Sequence, residues 1–148
     1  MLTSLYQETI LDHYRRPRNR GSLPNADTAV ELRNPLCGDV VTVMLRLGED
    51  GRVAEATFEA EGCSIARASA SMLTEVVRGL TTDEVRALEL RVRALLAGEP
   101  VDESLPPLPG DLVALGAVSR FPARVKCASM PWDSLAAGLA RHDGVGRQ

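Results

Sequence analysis

The chain has 148 residues, 45% hydrophobic and 25% charged, with a formal net charge of −3. That is enough for one folded domain, taken here as 1–148, with a core of its own. The charge balance gives no electrostatic footprint for nucleic acid or an anionic membrane, and no apolar run approaches the ~20 residues of a membrane span. Glu8 and Asp12 stand where a signal peptide would need an apolar core, so the expected location is the cytoplasm.

The first element read from the pattern is a helix over 4–15, in which Leu5, Ile10 and Tyr14 share a face and Pro17 ends the run. Residues 17–25 carry Asn19, Gly21 and Pro24 and read as a loop. Three alternating stretches follow. Thr28, Val30 and Leu32 form one dry face, and Val41, Val43, Leu45 and Leu47 form the next. Ala54, Ala56, Phe58 and Ala60 form the third. Glu49-Asp50-Gly51 makes a hairpin turn between the last two strands. One wet and one dry face predict an antiparallel sheet covered by helices on one side.

After Gly62 the period becomes helical, with Ile65, Ala68, Met72 and Val76 in line, Leu73 and Val77 beside them, and Gly79 at the end. Thr81 and Glu84 have capping-box spacing ahead of Val85, Leu88, Val92 and Leu95. Residues 99–110 are broken by prolines, and Leu112 to Val118 suggests one or two helical turns. Phe121-Pro122 opens a short helix that Pro131 is expected to break or restart. A last amphipathic helix carries Trp132, Leu135, Ala136 and Leu139, with a frayed tail beyond His142. The order predicts an α+β fold, a three-stranded antiparallel sheet with helices packed on it.

The chemistry sits where one pattern gives way to another. Cys37 and Asp39 flank Gly38, and in an extended segment residues i and i+2 point the same way. Cys63 lies between a strand and a helix, where the helix dipole favours thiolate. Cys127 precedes or opens a helical stretch, beside Lys126, the sole lysine among 17 basic residues. If the fold gathers these junctions, three thiolates and a carboxylate complete a tetrahedral zinc shell or terminate a [2Fe–2S] unit. Carboxylate is the harder ligand, so its presence suggests a site that opens or exchanges. His13 and His142 read as surface or packing residues, and Trp132 and Met72 as core. A purely structural zinc site is the competing reading, and a zinc hydrolase ranks below it because no general base besides Asp39 is evident.

These residues resemble the scaffold proteins of iron–sulfur cluster assembly, the IscU/SufU family. The resemblance rests on Tyr6, Asp12-His13-Tyr14, Pro17-Arg18-Asn19, Asn34-Pro35-Leu36-Cys37-Gly38-Asp39 and Gly62-Cys63-Ser64-Ile65-Ala66. The last motif, Phe121-Pro122-Ala123-Arg124-Val125-Lys126-Cys127, has Lys126 where IscU-type proteins have a histidine, and lacks their Leu-Pro-Pro-Val-Lys segment. A proline-rich insertion around 99–118 is a further departure, and all three resemble the SufU type.

The resemblance implies a three-stranded sheet flanked by helices, with Cys37, Asp39, Cys63 and Cys127 as metal ligands. It implies sulfur taken from a pyridoxal-phosphate (PLP) cysteine desulfurase, bound Zn2+ or a transient [2Fe–2S] cluster, and downstream iron–sulfur acceptor proteins. Cys37 is the expected first sulfur acceptor, because Gly38 loosens its loop, and Cys127 is the alternative. Lys126 and Arg124 are auxiliary basic residues, with Lys126 expected to pair with Asp39 or steer the incoming group.

Overall fold

A computed structural model describes residues 7–35 and 38–146 of the chain. Tyr6, Leu36 and Cys37, together with the first turn expected at 4–6, lie outside the described residues. Helix α1 runs Glu8–Arg15, followed by strands β1 (Thr28–Asn34), β2 (Asp39–Leu47) and β3 (Val53–Glu61). Helices α2 (Ser64–Val77) and α3 (Thr82–Leu96), a 3₁₀ helix (Leu112–Arg120) and helix α4 (Pro122–Gly146) complete the chain. The strands form one antiparallel sheet in the order β1-β2-β3, as the alternation predicted.

The register places Val30 opposite Val43 and Val43 opposite Phe58, so the apolar faces of the three strands coincide. One expectation shifts. The register slips between Arg46 and Leu47, and at that irregularity Val53 turns inward while Ala54 is exposed. The free edge of β3 is partly covered: the Gly21 N–H donates to the Phe58 carbonyl and the Phe58 N–H to that of Asn19.

Helix α2 is buried on nearly every side, not on the single face its periodicity suggested. Ala66, Ala68, Ser69, Ala70 and Ser71 all have 0% exposure. Side chains this small let α1, β3 and α4 approach together. The capping box at Thr81 and Glu84 forms in full. The 3₁₀ helix also has a sequence cause: its buried Leu112, Leu115 and Val118 recur every third residue, the period of a 3₁₀ turn.

Pro131 does not break the last helix. Helix α4 is continuous from Pro122, which takes the first helical position where a missing N–H costs nothing. At Pro131 the helix is held from outside. The Ser69 hydroxyl donates to the Ala128 carbonyl at 2.6 Å, and the indole N–H of the buried Trp132 donates to Ser69 Oγ at 3.2 Å.

Helix α4 is fastened to the sheet by Ser134. Its hydroxyl donates to the Val30 carbonyl at 2.6 Å and accepts from the Val43 N–H at 3.0 Å, bridging β1 and β2 in a wholly buried position. Ser134→Ala strands both backbone groups in an apolar setting. It is expected to lower unfolding free energy by about 1–3 kcal/mol, measured by urea titration of Trp132 fluorescence.

Candidate metal and sulfur site

Asp39, Cys63 and Cys127, scattered in sequence, each present a ligand atom within 4.8 Å of the other two. Each is placed by a different element. Asp39 opens β2 and pairs with Asn34 across the β1–β2 turn. The turn closes by a hydrogen bond from the Gly38 N–H to the Asn34 carbonyl, with Gly38 at φ 73°. Gly38 therefore departs from the extended backbone assumed from sequence. Cys37 lies outside the described residues.

Cys63 is the N-cap of α2, as its position between strand and helix suggested. Its Sγ accepts from the Ile65 N–H at 3.4 Å, so the sulfur faces the positive end of the helix. The Cys63 N–H in turn donates to Asp39 Oδ1 at 2.7 Å. That contact requires Gly62, whose φ is 105° and where an added Cβ would lie 2.3 Å from Asp39 Oδ1.

Cys127 does not open a helix. It sits in the second turn of α4, fully buried. The basic group that reaches the pocket is Arg124, whose Nη1 donates to Cys63 Sγ at 3.3 Å. Arg124 is three residues before Cys127 and shares its face of α4, whereas Lys126 is rotated about 100° from it. Lys126 is exposed and makes no ion pair with the buried Asp39 among the described residues. Sequence adjacency favoured Lys126 as Asp39's partner; helical spacing from Pro122 is the signal that finds Arg124. Gly62 could have been found the same way, as a glycine between a strand and a cysteine N-cap.

The charge balance of the pocket asks for a cation. Burial first, and then the neighbouring Asp39 and Cys63, push the Cys127 thiol far above its ordinary range. Asp39 Oδ2 is buried with no hydrogen-bond partner among the described residues. An unsatisfied carboxylate oxygen beside two sulfurs fits a thiophilic divalent ion such as zinc.

Fold and site together define a class: a small antiparallel sheet backed by helices, carrying a thiol–carboxylate pocket at the sheet–helix junction. Residues 5–128 match the family described as NifU-like N terminal domain, and the chain belongs to that family. It is 41% identical over 97% of its length to 95% of the zinc-dependent sulfurtransferase SufU of Bacillus subtilis (strain 168). It is 34% identical over 95% of its length to 86% of the iron-sulfur cluster assembly scaffold protein IscU of Streptococcus pyogenes serotype M1. The crystal structure of FiSufU from Fervidobacterium islandicum AW-1 superposes with a TM-score of 0.81 at 29% identity, covering 90% of this chain and 96% of that one. The resemblance drawn from the cysteine motifs, and the α+β fold it implied, are both met.

Two outcomes follow from the geometry. Gly62→Ala displaces the Asp39 carboxylate and is expected to weaken zinc binding about tenfold or more, measured by competition with a chromophoric chelator. In metal-free protein, iodoacetamide is expected to modify the half-buried Cys63 before the buried Cys127, read by mass spectrometry of timed digests.

Proposed function

We propose that this protein accepts sulfur from a PLP-dependent cysteine desulfurase and carries it into iron–sulfur cluster assembly in the cytoplasm. Zinc would be held by Cys37, Asp39, Cys63 and Cys127. The observation that carries the reading is the convergence of Asp39, Cys63 and Cys127, with Asp39 Oδ2 buried and unpartnered among the described residues. The names of its relatives support it, since one is a zinc-dependent sulfurtransferase and another an iron–sulfur scaffold. When bound, zinc keeps coordinated thiols deprotonated near neutral pH.

The chain's residues divide the work. An acceptor thiolate attacks the terminal sulfur of the desulfurase persulfide. A new S–S bond forms on the acceptor as the old one breaks, and the desulfurase cysteine leaves as thiolate. Cys37 is the proposed acceptor. It adjoins the exposed, left-handed Gly38, whereas Cys127 is enclosed in α4 and Cys63 is engaged by Ile65 and Arg124. Asp39 is the ligand whose release opens the site. Arg124 donates to the Cys63 sulfur and orients it, and the exposed Lys126 adds positive charge outside the pocket. A nascent [2Fe–2S] cluster, for delivery to downstream acceptor proteins, is cargo the same residues could hold.

The test is sulfur transfer from radiolabelled cysteine by a desulfurase, with label counted on this chain. Cys37→Ser is expected to abolish labelling, and Arg124→Gln to slow it about tenfold or more, as loss of a charged hydrogen bond would. Parental labelling in Cys37→Ser together with none in Cys127→Ser would reverse the acceptor assignment. Absence of label on the zinc-loaded parent chain would refute the carrier reading.

A purely structural zinc site makes a different forecast for chelation. The core formed by residues such as Phe58, Met72, Leu115 and Trp132 extends far beyond the site, which meets it at Cys127 and Cys63. Chelation is therefore expected to leave far-UV circular dichroism intact while stopping transfer; global unfolding would favour the structural reading.

A further inference from the structure

Away from the cysteine pocket, His13 on α1 is wholly buried, with both ring nitrogens engaged. Nδ1 lies 2.8 Å from Ser71 Oγ of α2. Nε2 faces two carboxylates, 2.9 Å from Asp111 Oδ2 and 3.7 Å from Glu75 Oε1. These three side chains come from α1, α2 and the residue just before the 3₁₀ helix. Each presents one ligand atom, and the three atoms lie within 4.8 Å of one another.

Among the described residues, neither Glu75 nor Asp111 has an arginine or lysine partner, and His13 is their only ion-pair neighbour. Two negative charges therefore converge on one imidazole without a fixed counter-ion. The Ser71 hydroxyl also accepts from the Arg18 N–H at 2.9 Å, which fixes its position. It can give its own proton to Nδ1, leaving Nε2–H to donate to Asp111. It can equally accept from Nδ1–H, leaving a bare Nε2 lone pair pointed at both carboxylates. The second arrangement is repulsive unless a proton or a metal cation sits between Nε2 and the carboxylates. It also reproduces the outer hydrogen bond that usually orients a metal-binding histidine.

The geometry points to a second metal site, in which His13 Nε2, Glu75 and Asp111 bind a first-row divalent cation and clamp the start of the 3₁₀ helix to α1 and α2. One imidazole and two carboxylates make an N/O donor set that accepts manganese, iron or zinc, unlike the thiolate-rich pocket. The two carboxylate side chains are 42% and 50% exposed, so an ion can enter and keep water on its remaining positions.

Mn2+ is the probe, because it disfavours thiolates and its free form is counted by electron paramagnetic resonance. The full chain is expected to bind one Mn2+ saturably, with broadening of the Ser71 and Asp111 amide signals. Glu75→Gln and Asp111→Asn, both at half-exposed positions, should each weaken binding about tenfold or more. Ser71→Ala should weaken it by about 10–100-fold, as loss of an orienting partner does. Asp39→Asn should bind as the parent does. The absence of saturable binding, unchanged affinity in either Glu75→Gln or Asp111→Asn, or loss of binding in Asp39→Asn would overturn the assignment.

Discussion

Three chain segments must reach one point for the cysteine pocket to exist, and the hydrogen bond from the Cys63 N–H to Asp39 Oδ1 joins the first two. It ties the start of β2 to the start of α2 across a gap with no room for a Cβ at Gly62. Oδ1 is committed to that N–H, and Oδ2 is buried and without a hydrogen-bond partner among the described residues. The same bond satisfies the N-cap's own N–H, a donor that in a capping box goes to the side chain at N3. The Cys63 sulfur takes up the Ile65 N–H, the usual task of an N-cap side chain. One short contact thus caps the helix, orients the carboxylate and places the first sulfur.

The third segment arrives through packing. Helix α2 is lined with alanine and serine, which allows α4 to approach closely enough for the Ser69 hydroxyl to reach the Ala128 carbonyl. Ala128 follows Cys127, so that contact sets the depth of the second sulfur. Trp132 closes on the same hydroxyl, and Ser134 anchors the next turn to the sheet. Pro131 lies within this braced stretch. Pro131 cannot bond the Cys127 carbonyl, and the contacts at Ala128, Trp132 and Ser134 brace the helix on both sides of that gap.

Strands and caps were legible in the sequence because their causes are local. Alternation gave the faces of β1 and β2, and Thr81 with Glu84 gave the start of α3. Ala54 was misjudged because it is an extra residue in β3, lying between Val53 opposite Leu47 and Glu55 opposite Arg46, and strict alternation leaves no place for one. The continuous helix through Pro131 was hidden for a similar reason: the groups that rescue it belong to α2. The ligand residues Asp39, Cys63 and Cys127 stood out by type and by junction, but their geometry depended on where helices begin. Once α4 starts at Pro122, Cys127 moves from a helix end to a helix interior, and Arg124 replaces Lys126 as its companion. His13 read as a surface or packing residue because its partners lie far along the chain, at Ser71, Glu75 and Asp111.

The choice of arginine in the pocket bears on how the site would work. A guanidinium stays charged whatever its surroundings and donates along fixed directions, whereas an ammonium is more strongly hydrated and more easily neutralised by burial. Arg124 therefore gives the Cys63 sulfur a second donor beside the Ile65 N–H. Cys127 has burial against it and no such help, so its thiolate depends on a cation. The two described sulfurs therefore differ in their surroundings, with two donors at Cys63 and burial at Cys127. Of the two, Cys127 is the sulfur whose ionisation burial and the neighbouring Asp39 and Cys63 oppose, so any positive charge brought into the pocket acts on it most.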